Sequence, residues 1–442
     1  MTASVSTALL TDRYELTMLD AALHDGTASR RCVFDVFARR LPGGRRFGVV
    51  AGTGRLLGLL RDFRFGDDEL RFLRDERVVD AQTLRFLEQY RFTGSIHGYR
   101  EGELYFPGSP LLTIEGTFAE AVILETLALS VLNYDSAVAA AAARMSIAAG
   151  DRPLAEMGSR RTGEWSAVAA ARAAFIAGFS ATSNLEAGRR WGIPTMGTAA
   201  HSWTLLHDTE ADAFAAQLRA LGDQTTLLID TYDIETGVAT AIEVAGSGLG
   251  GVRIDSGDLP VVAAQVRRQL DALGARDTRI TVTSDLDEFA IAALAASPVD
   301  AYGVGTALAT GSGSPTAGLV YKLVARQDAG GAWIPVAKTS TAKGSQGGRK
   351  TAFRVVENGV AREELIVVAE GFEQRESPAP HANARALQVP LVIHGDINDA
   401  AEGPGGVIAA REHHARARAE LPVTALALSR SEPAVETTYQ AG

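Results

Sequence analysis

Ile193-Pro-Thr-Met-Gly-Thr-Ala-Ala-His-Ser-Trp-Thr-Leu-Leu-His207 reads as three pieces in succession. Ile193 to Met196 is a short apolar run of strand length, Gly197 to Ala200 a turn of small residues, and a helix is expected to open near His201. That order places an imidazole and a glycine turn at the carboxyl end of a strand. In α/β folds, strand carboxyl ends are where ligands bind and chemistry occurs. The alternative for this stretch alone is a histidine satisfied by backbone carbonyls at a helix start.

Working outward, the same strand-then-helix unit repeats. Strands are expected at 152–157, 180–183, 193–196, 225–229, 251–254, 279–283 and 300–304. Helices are expected at 163–178, 185–191, 201 onward, 235–245, 259–273 and 287–296. Because each helix returns the chain to the same end, consecutive strands must run parallel. With about seven such units the count approaches the eight of a closed barrel, so an α/β barrel or incomplete barrel is expected rather than an open sheet.

The flanks read differently. A helix is expected from about Asp12, with Leu16, Leu19 and Leu23 on one face, then a strand over 32–39, helices at 53–63 and 66–74, and paired strands between 92 and 112. This gives a first α+β domain over 1–117 and a barrel domain over 118–318. Past Leu319 strands return, joined by the basic glycine turn Lys343 to Lys350 and a basic helix over 400–421. The segment 319–442 either completes the first domain or forms a third. Adjacent His413 and His414 do not share a helix face and read as surface. Residues 429–442 read as frayed, and Trp165, Trp191 and Trp203 as core.

Composition limits the classes of function. The 442 residues are 46 % hydrophobic and 22 % charged, an ordinary globular balance able to bury a large core. A formal charge of −10 gives no global basic footprint for nucleic acid, although local arginines and helix N-termini still suit phosphates. A single cysteine, Cys32, excludes an internal disulfide framework and any multi-cysteine zinc site. The apolar stretch 119–149 is broken by Glu120, Glu125, Asn133, Asp135 and Arg144, and reads as soluble helices rather than a membrane span. No signal peptide is visible, and a cytoplasmic location is expected.

The functional signal lies in the residues just past each strand. Gly158, Ser159, Arg160 and Arg161 succeed the first expected strand; Gly197, Thr198 and His201 succeed the third. Asp230 and Asp233 come after Ile229, Asp255 to Asp258 after Ile254, Ser284 and Asp285 after Thr283, and Gly305 and Thr306 after Val304. Six such ends in one barrel-like repeat would converge on one mouth. Arginines there suit phosphate or carboxylate; carboxylates suit ribose hydroxyls or hydrated Mg²⁺. Arg253 lies inside a strand, where an unpaired charge is costly, so it either meets an anion in the mouth or pairs with a neighbouring aspartate. Leu227 to Gly237 comes close to the ribose-phosphate loop of open-sheet phosphoribosyltransferases, but its acids are not adjacent and the match reads as accidental.

Taken together, Leu10-Thr-Asp-Arg-Tyr-Glu-Leu-Thr-Met18, Gly158-Ser-Arg-Arg161, Gly197-Thr-Ala-Ala-His-Ser-Trp203, Asp230-Thr-Tyr-Asp233, Gly251-Val-Arg-Ile-Asp-Ser-Gly-Asp258, Gly303-Val-Gly-Thr306 and the Lys343 to Phe353 segment resemble the nicotinate phosphoribosyltransferase family. The resemblance implies an irregular α/β barrel with an N-terminal α+β domain and a C-terminal segment partly returning to it. It implies a reaction of nicotinate with phosphoribosyl pyrophosphate in NAD salvage, with ATP as co-substrate, Mg²⁺ as cofactor and a homodimeric assembly. By motif position, His201 would be phosphorylated by ATP and Asp230 would act at the ribose. Tyr14 would stack on nicotinate, and Thr198, Arg253 and Arg160 would bind it. Gly197, Asp255, Ser284, Gly303, Gly305 and Thr306 would hold phosphate and ribose. The family often carries Leu-Tyr-Gln where this chain has Arg13-Tyr14-Glu15. Nicotinamide or quinolinate as the accepted base, or a silent sensor of nicotinate or nucleotide, are the alternatives.

Overall fold

The computed structural model describes residues 6–338, 346–369 and 379–441. Two compact units emerge, one made of 1–140 and 314–442, the other of 141–313. The expected divisions at 117/118 and 318/319 therefore shift. Residues 118–132 supply Ala121, Ile123, Leu124, Leu127, Val131 and Leu132 to the largest apolar cluster of the first unit, which fixes them to it.

The second unit carries the strand-helix repeat. Its strands are β1 (Leu154–Glu156), β2 (Ala181–Thr182), β3 (Thr226–Leu228), β4 (Gly251–Ile254), β5 (Arg279–Val282) and β6 (Ala301–Val304). They form one sheet in the order β2-β1-β6-β5-β4-β3, parallel at every pairing. Leu227, Leu228, Val252, Ile254, Ile280, Val282, Tyr302 and Val304 are buried throughout, as short parallel strands covered by helices require. Ile193 to Met196, expected to be a strand, contributes only a single parallel bridge from Thr195 to Thr182. Pro194 has no N–H to donate to a ladder, which accounts for the short pairing. This bridge continues the sheet beyond β2, yet among the described residues nothing pairs it with β3 at the opposite edge. The sheet is a curled half-barrel, open along that seam.

Side chains at the strand ends also start the next helices. Asp233 accepts from Thr236 N at 2.8 Å, Asp287 from Ala290 N at 2.8 Å and Asn184 from Ala187 N at 2.9 Å. Each is an N-cap that satisfies a helix-start donor. The Thr236-Gly237 pair lies inside the helix Ile234–Ala245, where a Cβ on Gly237 would meet Ile229 O at 2.4 Å. The glycine is required for close helix–strand packing, which agrees with reading the phosphate-loop match as accidental.

The first unit holds an antiparallel seven-stranded sheet, in the order Trp333–Pro335, Leu319–Gln327, Arg31–Ala38, Leu112–Thr117, Ser95–Tyr99, Gln388–Ile393, Asp396–Ile397. A four-stranded sheet contains Ala384–Ala386, Lys350–Glu357, Val360–Val368 and Glu436–Ala441. The last of these corrects the expectation of a frayed C-terminus. Glu436–Ala441 pairs parallel with Val360–Val368, and Tyr439 donates to Gly108 O at 2.9 Å. His413 and His414 are not surface residues. His413 Nε2 lies 2.8 Å from buried Glu103, and His414 Nδ1 lies 3.0 Å from Gly102 O. Trp165 is 62 % exposed rather than core, its ring covered by the Arg190 guanidinium at 4.5 Å. Of the basic turn, residues 343–345 lie outside the described residues. Arg349 and Lys350 are taken by ion pairs to Glu115 and Asp35 at 2.9 and 2.8 Å.

The stretch Phe118–Ala149 is long and apolar enough to cross a membrane, but 67 % of its most apolar window is buried inside the protein, as in a core helix.

Candidate active site

At the carboxyl ends of β1, β4, β5 and β6 lies a cavity of about 300 Å³. Arg160, Arg161, Arg253, Asp255, Ser284 and Thr306 line it, together with Gly303 and Gly305. The two glycines are there because the walls leave no room. A Cβ on Gly303 would lie 2.6 Å from Thr283 Cγ2 and 2.7 Å from Met157 Sδ, and one on Gly305 would lie 3.3 Å from Met157 O. Ser284 turns the chain after β5 with φ 96°, a left-handed conformation that costs a non-glycine residue about 1–3 kcal/mol and collects at functional sites.

Arg253 projects from the middle of β4. Its Nη2 donates to Ala199 O at 3.0 Å and its Nη1 to Thr198 Oγ1, so it reaches across the open seam to the turn after Met196. Among the described residues no carboxylate bonds it, and its Nε has no partner. Burial lowers its pKa, opposed by the fields of Asp255 and Asp230 and reinforced by Arg160. A guanidinium remains charged under these conditions, so the effect is a buried cation short of a bonded counter-ion.

Asp230, just after β3, is 9 % exposed. Its Oδ2 accepts from Asp255 N at 2.8 Å and Ser256 Oγ at 2.6 Å; its Oδ1 is buried and unpartnered. His201 opens the single-turn helix His201–Leu205. Thr231 Oγ1 lies 3.1 Å from its Nδ1, which leaves Nε2 facing Asp255 Oδ2 at 3.8 Å. Thr283 Oγ1 donates to the other oxygen of Asp255.

The structure thus brings Arg160, Arg253, Asp255, Ser284, Gly303, Gly305 and Thr306 to one cavity, with Thr198, Asp230 and His201 tied to it through bonds or close approach. Gly197 is exposed in the turn before Thr198, with nothing within 4 Å of a Cβ placed on it. Tyr14 belongs to the first unit, on the helix Arg13–Asp25. It is 45 % exposed, and burial and the bonded Glu125 raise its hydroxyl pKa.

Sequence reasoning assigns no role to Glu156, Thr283 or Thr231. Glu156 is 1 % exposed, accepting from Gly158 N and Thr182 Oγ1. A signal for it does exist in the sequence: like Arg253, it is a charge inside an apolar strand.

Asp255 and Asp285 line the cavity and offer the hard oxygen donors that Mg²⁺ takes, and the buried Asp230 Oδ1 nearby is left without a partner. Among the described residues, the one group of three acids or histidines close enough to share an ion is Asp20, His24 and Asp80 in the first unit, largely exposed. The cavity therefore suits a metal that arrives with phosphate oxygens and takes one or two carboxylates from the protein.

An open parallel half-barrel with arginines and glycine turns around a small mouth defines a phosphoribosyltransferase-type fold. A sequence model of the nicotinate phosphoribosyltransferase N-terminal domain matches residues 9–133. The chain is 55 % identical over 439 residues to nicotinate phosphoribosyltransferase pncB1 of Mycobacterium tuberculosis, covering 97 % of this chain and 94 % of that protein. It is 31 % identical to human nicotinate phosphoribosyltransferase, over 85 % of this chain and 80 % of the human one. The crystal structure of human nicotinic acid phosphoribosyltransferase superposes with a TM-score of 0.82 at 25 % identity, over 97 % of both chains. That of nicotinate-nucleotide pyrophosphorylase from Pyrococcus furiosus gives 0.75 at 25 % identity, over 93 % and 95 %. The chain belongs to the nicotinate phosphoribosyltransferase family.

Proposed function

We propose that this protein transfers the phosphoribosyl group of phosphoribosyl pyrophosphate to nicotinate in NAD salvage, as a cytoplasmic homodimer that couples the transfer to ATP hydrolysis through phospho-His201. The observation that carries the reading is the convergence of Arg160, Arg161 and Arg253 with the Gly303–Thr306 turn in one cavity.

Arg253 would receive the nicotinate carboxylate, with Thr198 beside it and Arg160 close by. The ring nitrogen is already nucleophilic, so the protein chiefly positions it at the anomeric carbon. As the C–N bond forms, the bond to pyrophosphate breaks and positive charge develops on the ribose. The free Oδ1 of Asp230 would stabilise that charge, while Oδ2 stays tied to Asp255 N and Ser256. The Gly305–Thr306 turn would hold the 5′-phosphate. Bound Mg²⁺ would neutralise charge on the pyrophosphate, and Asp255 and Asp285 would hold it.

For the ATP-coupled step, Thr231 fixes the His201 ring by Nδ1 and leaves Nε2 to accept the γ-phosphoryl group, releasing ADP. Hydrolysis of that phosphoramidate would return the imidazole and yield phosphate.

The test is to incubate the protein with nicotinate, phosphoribosyl pyrophosphate, Mg²⁺ and ATP, and to measure nicotinate mononucleotide and ADP together. Both products in proportion are expected. Mononucleotide without ADP would keep the transferase and remove the phospho-His201 role. Neither product, with nicotinate still bound, would replace the enzyme by a sensor. Substituting nicotinamide or quinolinate in the same assay tests the carboxylate assignment.

A further inference from the structure

The first unit contains a second cavity, of about 740 Å³, which the phosphoribosyl transfer does not use. Its cationic wall is set by an aromatic frame. Phe63, Phe65 and Tyr90 are 1, 4 and 2 % exposed and meet edge to face, with ring centroids 5.7 to 6.3 Å apart. Tyr90 also donates to Glu120 O at 2.9 Å. Arg64 stands between the two phenylalanines and Arg91 comes directly after the tyrosine. The buried rings therefore fix two neighbouring stretches of backbone and present two guanidiniums to the same cavity.

Arg64 is half-buried and Arg91 exposed, so water screens their mutual repulsion only in part. Among the described residues, no carboxylate bonds either one. Arg64 Nη1 donates to Phe63 O at 2.6 Å and Arg91 Nη1 to Tyr90 O at 2.5 Å, which orients each fork and leaves its other N–H groups for a ligand. Burial first, and Arg91 second, lower the Arg64 pKa, with the field of Asp62 opposing. Three acids, Asp396, Asp399 and Glu402, also line the cavity, and Arg61 takes two of them. It binds Glu402 through both oxygens at 2.6 and 2.7 Å and Asp399 at 2.5 Å. The third, Asp396, makes no ion pair with Arg64 or Arg91.

At one point of the lining the backbone approaches closely. Gly395, at φ 85°, brings the hairpin of Gln388–Ile393 and Asp396–Ile397 onto the chain at Phe92; a Cβ there would lie 3.0 Å from Phe92 O. A volume of this size suits a whole small metabolite rather than a lone ion.

We propose that this cavity binds the phosphoryl group of a nucleotide-sized metabolite, with Arg64 and Arg91 as its anion clamp and the Arg61–Glu402–Asp399 cluster as its rim. The site is separate from the residues assigned to the reaction, so its occupancy is read as binding and not as turnover.

Inorganic pyrophosphate and ADP are the probes, titrated calorimetrically into the full chain and into two variants. Arg64→Gln/Arg91→Gln is expected to weaken binding at that cavity by about tenfold or more. Its turnover with saturating nicotinate and phosphoribosyl pyrophosphate, and its melting temperature, are expected to stay at wild-type values. Asp396→Asn removes the lining acid that pairs with neither arginine and is expected to tighten both probes by severalfold, a gain that misfolding cannot mimic. Adenosine, which lacks the phosphate, is expected not to compete. Unchanged stoichiometry and affinity in the double variant, or no tightening in Asp396→Asn, would overturn the proposal. Tightening of ADP alone would assign the acid side to the base rather than the phosphate, and would overturn the clamp.

Discussion

Arg354 and Arg253 both sit inside β-strands, and their surroundings differ. Arg354, in Lys350–Glu357, is fully buried. Its guanidinium meets Glu103 at 2.8 Å, Leu104 O at 2.8 Å and Glu364, and Arg385 and His413 complete the Glu103 side. Arg253, in β4, meets a hydroxyl and one carbonyl and, among the described residues, no carboxylate. Each leaves its Nε unpaired, so an orphan atom alone does not distinguish them. Bonded counter-charge does. Where both partners of a buried charge come from the chain, the group holds the fold together. Where the chain supplies the cation and bonds no anion to it, the cation is open to a ligand's anion, the role proposed for Arg253.

Removing each charge tests that distinction, and the largest effect is expected at Arg354. Arg354→Met leaves Glu103 and Glu364 buried without their shared cation, a loss of about 3–5 kcal/mol of stability. Thermal or urea unfolding is expected to show it, and a melting temperature within a few degrees of wild type would break the comparison. Arg253→Ala is expected to leave unfolding nearly unchanged while reducing kcat/KM for nicotinate by about 10²–10³-fold. Unchanged nicotinate kinetics would end the carboxylate assignment.

A third experiment reads the same network through pH. Burial holds the His414 pKa down at about 4, with Arg418 and His413 adding to that and the Gly102 carbonyl and Glu103 opposing. The unfolded chain then binds the proton first, at the ordinary value of about 6.5. Stability is therefore complete above pH 6.5 and falls as pH drops toward 4, by up to about 3 kcal/mol. His414→Asn keeps a donor for Gly102 O without a titrating group. Its unfolding free energy is expected to be flatter over that window, and a slope equal to wild type would remove the histidine from the account. Glu103 acts in the same sense at lower pH. Although burial pushes its pKa up, bonds from His413, Arg354 and Arg385 hold it well below the ordinary range, so its contribution is full above the ordinary carboxylate range and is lost progressively as pH falls below it.

The half-barrel is legible in the sequence because its signal is local and repeated. Most of its strands are short, largely apolar runs with glycine or charge close behind, and Gly251–Ile254 and Leu185–Trp191 fall where the pattern places them. Ile193–Met196 misleads, since an apolar run reports burial but not the ladder that Pro194 interrupts. The first unit hides its plan for the opposite reason. Its contacts join residues hundreds of positions apart, as Glu103 with Arg354 and Arg385, and Gly102 with His414. No short window shows a histidine pair finding a buried carboxylate, or a polar tail finding a sheet edge.

Glu156 gives the smallest effect and the finest version of the comparison, because it is a buried charge beside the site whose partners all come from the chain. Burial raises its pKa, against the bonds from Thr182 and Gly158. A Cβ on Gly158 would lie 2.9 Å from its Oε1 and 3.2 Å from Gly305 O, so the carboxylate holds the turn carrying Arg160 and Arg161 against the Gly305 end of β6. Asn184 joins the same knot, its N bonded to Thr182 Oγ1 at 2.9 Å and its Nδ2 to Ser159 Oγ at 3.0 Å. Glu156 does not itself line the cavity; it holds the turn whose Arg160 and Arg161 do. Glu156→Gln keeps an oxygen for Gly158 N and is expected to stay near wild type. Glu156→Ala frees the turn and is expected to lower kcat/KM by about tenfold, roughly the 1.4 kcal/mol of a lost hydrogen bond to a charged group. The loss should fall on KM for phosphoribosyl pyrophosphate, with kcat largely retained. Equal losses in both variants would mean that the negative charge itself, and not the bond to Gly158, is what the site requires.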